Sequence, residues 1–243
     1  MAERRYYAFD LDGTLSDIHG LNDYLDFFRN NISNNDYHQK LEAAYKIFIR
    51  KIVEKTDIKE CTLFNLDMIF LIIKENVSDA VIYSNNSDPN VLVFVKDVIE
   101  GLVGRPVFCY LMHWDHELRK NEIVRGDPGN ARKTWLVLKK AFAECGHDVR
   151  PEQVFYFDDQ EHPDLRRQVN YTKVKEYRTD LDLNNELIRK IFYESLEESG
   201  INQPLVANNN FNELPNMEGG KRTRTRYRRR KTSKKTNKKR KSK

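Results

Sequence analysis

What most limits the fold of this chain is a repeated alternation of short apolar runs with longer amphipathic stretches. Residues 6–11 (YYAFDL), 79–83 (DAVIY), 106–112 (PVFCYLM) and 153–157 (QVFYF) are rich in aromatic and β-branched side chains, as buried strands are, and 171–177 is a fifth candidate. Between them, Leu41, Ala44, Tyr45, Phe48, Ile49 and Ile52 recur at the three-and-four spacing of one helical face within 37–55. Further helices are expected over 21–28, 63–75, 90–101, 131–145 and 184–199. The Asn-rich 30–35 stretch would be the turn between the first two, and Gly146 a helix stop. Apolar strands alternating with helices predict an α/β fold, a Rossmann-like parallel sheet sandwiched by helices over residues 1–200. Residues 16–62 would be a small helical cap insert.

Charge divides the chain again. Of 42 Lys and Arg residues, 15 lie in 221–243, which has no Asp or Glu; residues 1–220 keep 27 basic against 37 acidic side chains, a net of −10. The tail has too few apolar residues to bury a core and is expected to be disordered, after a linker at 201–220 rich in Asn, Pro and Gly. Three readings suit it: nonspecific nucleic-acid binding, a nuclear targeting signal, or association with an acidic surface, the protein's own body included. The longest apolar run, 68–73 (MIFLII), is too short to span a bilayer, so no membrane partner is expected. The N-terminus lacks the apolar core of a secretory signal. Three cysteines, Cys61, Cys109 and Cys145, are odd in number, widely spaced and without a CxxC. They argue against a disulfide framework and for a reducing compartment, hence a soluble intracellular protein, cytoplasmic or nuclear.

In an open parallel sheet, ligands bind beyond the carboxyl ends of the strands. The first strand ends at Asp10-Leu11-Asp12-Gly13-Thr14, the second at Ser84-Asn85-Asn86 and the fourth at Asp158-Asp159, with Lys133 placed to reach the same crevice. Carboxylates from two strand ends make a hard oxygen site of the kind that takes Mg²⁺. One carboxylate can be a nucleophile and a second, two residues on, a proton donor and then acceptor. Ser84, Asn85 and Lys133 would bind phosphoryl oxygens.

These residues resemble the motifs of the haloacid dehalogenase superfamily of phosphotransferases: DLDGTL at 10–15 the first, Ser84 the second, Lys133 the third, FDD at 157–159 the fourth. The resemblance covers roughly 5–180 and implies a Mg²⁺-dependent phosphatase. Asp10 would be the nucleophile, Asp12 the general acid/base, and Asp10, Asp12 (through its backbone carbonyl), Asp158 and Asp159 the metal ligands. The double Asp is similar to the branch of carboxy-terminal-domain phosphatases, which act on phosphoproteins, whereas the insertion after the first motif is more like the caps of small-molecule phosphatases. The substrate is thus expected to be a phosphoprotein or a phosphorylated small molecule. In composition the tail is similar to basic tails on proteins of large DNA viruses, which adds virion packaging to the candidate locations.

Competing assignments remain. Lys120 rivals Lys133, while Lys139 and Lys140 fall further along the helix. Asp164 is expected to start a helix, and the six histidines, in no metal-ligand spacing, to be loop residues. A non-catalytic scaffold tethered to nucleic acid by the tail, and a phosphatase acting on nucleic-acid ends, are the alternative functions.

Overall fold

In a computed structural model describing residues 4–18, 21–32, 38–120, 132–179 and 181–201, the apolar runs form a five-stranded, all-parallel sheet. The strands are β1 (Tyr6–Phe9), β2 (Ala80–Tyr83), β3 (Phe108–Met112), β4 (Val154–Asp158) and β5 (Asn170–Lys173), in the spatial order β3-β2-β1-β4-β5. The described helices are α1 (Asn22–Ile32), α2 (His38–Asp57), α3 (Leu66–Lys74), α4 (Pro89–Val103), α5 (Trp135–Glu144), α6 (Pro163–Gln168) and α7 (Leu181–Glu198). The architecture is the expected Rossmann-like α/β fold. Its chain runs outward through β2 and β3, then returns to add β4 on the other side of β1. The order therefore reverses between β1 and β4, the switch point at which open α/β sheets generally bind ligands.

Side chains alternate along each strand, so every strand has two addresses. Tyr6, Ala8, Val81, Tyr83, Met112 and Tyr156 face one layer, packed against Val137, Leu138, Ala141 and Phe142 of α5 and Leu165 of α6. On the opposite face the Tyr7 and Phe155 rings stack at 5.6 Å and those of Phe9 and Phe157 at 5.3 Å. The helices of that layer meet around Phe192 of α7, whose ring lies 4.9–6.2 Å from Tyr24, Phe27, Phe28 and Phe48; Phe48 in turn reaches Phe94 of α4. Each such fully buried ring contributes about 1.5–3 kcal/mol of hydrophobic free energy. The insertion at 16–62 supplies α1 and α2, whose contacts run to α4 and α7. Its two ends are tied together beside the first strand. Asp17 N donates to Leu63 O and Asn65 N to Leu15 O, both at 2.9 Å, and Asn65 Nδ2 donates to Thr14 O at 2.9 Å.

The 30–35 stretch is not wholly a turn, because α1 runs through Ile32 and takes in its first three residues. Three further boundaries differ from expectation, each for a local reason. α5 begins at Trp135 rather than 131 because Thr134 is extended and caps it, its hydroxyl accepting from Val137 N. β4 runs through Asp158, which places that carboxylate on the sheet itself. β5 stops at Lys173 because the following backbone turns across the strand ends, where Val174 N donates to Asp158 O and Tyr177 N to Gly13 O. Part of the Asn-rich turn (33–35), the linker from 202 and the tail at 221–243 lie outside the described residues.

The cysteine expectation is overturned. Cys109 on β3 and Cys145 at the end of α5 form a disulfide, with Cα atoms 5.8 Å apart across a sequence separation of 36. Cys61 is buried and free, which accounts for the odd number. Wide spacing conceals the pairing because α5 packs back against β3, and the argument for a reducing compartment loses its premise. Among the described residues no helix is long and apolar enough to cross a membrane.

Candidate active site

Asp10 and Asp158 become neighbours through strand register. Phe9 pairs with Phe157 across the β1–β4 ladder, and Asp10 N donates to Phe157 O at 2.8 Å, so the next residue of each strand lies on the face shared by Ala8 and Tyr156. Lys133 enters from the α5 side. Its Nζ lies 2.6 Å from Asp10 Oδ1, an ion contact, and donates to Asp158 Oδ2 at 2.7 Å. All three side chains are buried. Asp158 is held further by the Tyr156 hydroxyl at 2.8 Å and the Gln160 N–H at 2.7 Å, with His162 Nε2 3.2 Å away.

The 10–14 turn is locked from several directions. Thr14 Oγ1 accepts from Asp159 N at 3.0 Å, tying the first acidic turn to the second. Gly13 has φ +75°, and a Cβ there would sit 2.9 Å from Asp159 Oδ2, so a side chain at this position would be strained and would displace that carboxylate. Asp12 points toward β2, where Asn86 Nδ2 donates to its carboxylate at 3.2–3.4 Å. Ser84, fully buried, accepts from Asn86 N at 2.9 Å through Oγ, which commits a lone pair and leaves the single hydroxyl proton to be donated elsewhere.

The structure therefore brings Asp10, Lys133, Asp158 and Asp159 together at the β1 and β4 ends, with Asp12 joined to them through Asn86 and Ser84 and Asn85 on the neighbouring strand end. The rivals fall elsewhere. Lys120 is exposed and pairs with Glu117, Lys139 is exposed beside Asp148, and Lys140 is exposed. Asp164 opens α6 as expected, and its Oδ2 also accepts from Trp135 N, which fixes the start of α5.

Several partners were not anticipated. Tyr156 had a visible signal, since it precedes Asp158 by two residues and so shares its face. Asn86 and His162 flank expected site residues closely enough to have been weighed. Arg119, fully buried and bonded to Ser84 and Asn85, carries no such signal, because its partners lie 34 and 35 positions away.

The electrostatics are those of a site with excess negative charge. Burial pushes Asp10 up to about 7, with the Asp158 carboxylate adding to the shift and Lys133 opposing it. Burial alone would raise Asp158 too, but the Lys133 ammonium and then His162 hold it far below the usual carboxylate range. Asp159 is raised by burial, then by Asp158 and Glu176. Lys133 stays charged although buried, its ammonium favoured by Asp10 and Asp158. Asp10, Asp158 and Asp159 each offer a carboxylate oxygen within 4.8 Å of the others. Asp159 Oδ1 is buried and has no hydrogen-bond partner. A divalent cation fits this donor set, since it would take up that oxygen and offset charge that one lysine leaves unbalanced.

No protein family, curated protein or solved structure matches the chain.

Proposed function

We propose that the protein is a Mg²⁺-dependent phosphatase of the haloacid dehalogenase type, acting on a phosphomonoester. The observation that carries this reading is the meeting of Asp10, Asp158 and Asp159 around buried Lys133 where the strand order reverses. An all-oxygen carboxylate set favours a hard cation, and Asp10, Asp158 and Asp159 would hold it. Bound there, Mg²⁺ would neutralise charge on the transferring phosphoryl group.

The chain's own groups account for two displacements. Asp10 attacks phosphorus; the new Asp10 O–P bond forms as the bond to the leaving oxygen breaks, and Asp12 gives that oxygen its proton. Water then attacks the aspartyl-phosphate, its proton passing to Asp12 while the Asp10 O–P bond breaks and orthophosphate leaves. Asn86 orients the Asp12 carboxylate for both proton transfers. Lys133 aligns Asp10 and, with Ser84 and Asn85, receives phosphoryl oxygens. The substrate would be a phosphoprotein or a phosphorylated small molecule.

The test is hydrolysis of an aryl phosphate by the wild type and Asp10→Asn, with and without Mg²⁺. Metal-dependent turnover lost in the folded variant supports the mechanism; retained turnover in purified Asp10→Asn overturns it.

A further inference from the structure

Arg119 places a full positive charge inside the protein, at the end of a 3-10 turn (Glu117–Arg119) beyond β3, and is wholly buried. A buried guanidinium demands acceptors, and it finds them on the loop after β2. It donates to Ser84 O at 2.6 Å and to Asn85 Oδ1 at 2.8 Å. Its carbon lies over the Tyr83 ring at 4.9 Å and the Trp114 ring at 5.5 Å, contacts that restrain the plane of the fork. The turn bearing Arg119 is itself secured, by the His116 ring accepting from Leu118 N and by Arg119 N donating to His116 O. A second tie runs from Trp114 N to Asn86 O at 2.8 Å. The segment after β3 thus clamps residues 84–86 through both side chain and backbone.

We propose that Arg119 is the positioning residue of the phosphate-binding loop, holding Ser84 and Asn85 in the arrangement that receives a phosphoryl group. The assignment rests on the phosphatase reading above. A guanidinium only donates, so it selects the orientation of the Asn85 amide, oxygen toward Arg119 and nitrogen turned away. By fixing the Ser84 carbonyl it fixes the backbone that carries Oγ. Lysine cannot reproduce this, because one ammonium lacks a planar fork that spans two acceptors.

The experiment uses the full chain in four forms: wild type, Arg119→Lys, Asn85→Ala and the double variant, assayed on an aryl phosphate with Mg²⁺. Arg119→Lys is expected to raise KM about tenfold while kcat changes less than about threefold, the pattern of lost phosphate binding common to ground and transition states. In the Asn85→Ala background the same substitution should raise KM less than about threefold, since part of its route is already cut. An unchanged KM in Arg119→Lys, or an equal KM effect in both backgrounds, overturns the proposal. Should Arg119→Lys fail to fold, Arg119→Gln, planar and still a donor, takes its place. Calorimetric titration of the same proteins with orthophosphate separates this proposal from the one beneath it. A wild type that binds orthophosphate without turning over the ester sinks the phosphatase reading alone. Binding about tenfold weaker in Arg119→Lys then still supports the positioning role, and equal binding overturns it. A wild type that neither turns over the ester nor binds orthophosphate overturns both.

Discussion

Asp10 is buried among other carboxylates, whereas the proposed mechanism needs it ionised, both to hold the metal and to attack phosphorus. With its pKa near 7 in the fold against an ordinary 3.8, the metal-free native protein keeps a proton that the unfolded chain has already lost. The native state binds more protons across that window, so stability falls as pH rises from about 4 to about 7. Urea denaturation of metal-free protein should show this decline, and Asp10→Asn should remove most of it. Affinity for Mg²⁺ should move the other way, rising with pH up to about 7 and then levelling, because binding expels that proton. Asp158, held low by Lys133, contributes stability that begins to fall as pH drops below its ordinary 3.8 and is gone only in strong acid. Gly13 makes a steric demand instead. Gly13→Ala would force a side chain into positive φ and against Asp159 Oδ2, costing about 1–2 kcal/mol in backbone conformation alone. Chemical denaturation should register that loss and calorimetry a weaker Mg²⁺ affinity, since the displaced carboxylate is one of the proposed ligands.

Helix α5 is fixed at both ends: by its Thr134 cap and the distant Asp164 at its start, and by the disulfide to β3 at its finish. Closing a loop of this separation removes about 4 kcal/mol of unfolded-chain entropy in the simplest treatment. Reduction, or Cys109→Ser, should therefore lower the urea midpoint substantially, with the Lys133 end of α5 the place where lost order would reach the site. Both constraints show why the chain was only partly legible from its sequence. Strands and helices declare themselves by local period, and Asp10 and Asp158 followed because each lies at a strand end. Lys133 followed as a cation close to a helix start. What escaped were pairings made by tertiary proximity alone: Cys109 with Cys145, Arg119 with Ser84, and Asn65 with Thr14 at the neck of the insertion. No periodicity encodes these, because each depends on which elements the sheet order makes neighbours.

At the scale of the whole chain, an acidic body with a net of −10 is joined to a segment carrying 15 basic side chains. We propose that this segment associates nonspecifically with nucleic acid. Full-length protein should then bind a random duplex with an affinity that falls steeply with salt, each neutralised phosphate contributing about −0.9 to the logarithmic slope. Deleting 221–243 should abolish that binding while leaving the urea midpoint and aryl-phosphate turnover unchanged; duplex binding undiminished by the deletion would assign it to the body. The sheet also does something incidental with the chain's two tryptophans. Trp114 lies against Arg119 and donates its backbone N–H to Asn86, while Trp135 follows Thr134 directly and is tied to Asp164. Both residues are half-buried, one against Arg119 and the other at the start of the helix that follows Lys133. Intrinsic fluorescence is thus a built-in optical reporter of this one region, and ligands can be screened on the unlabelled protein by emission alone before any substrate is known.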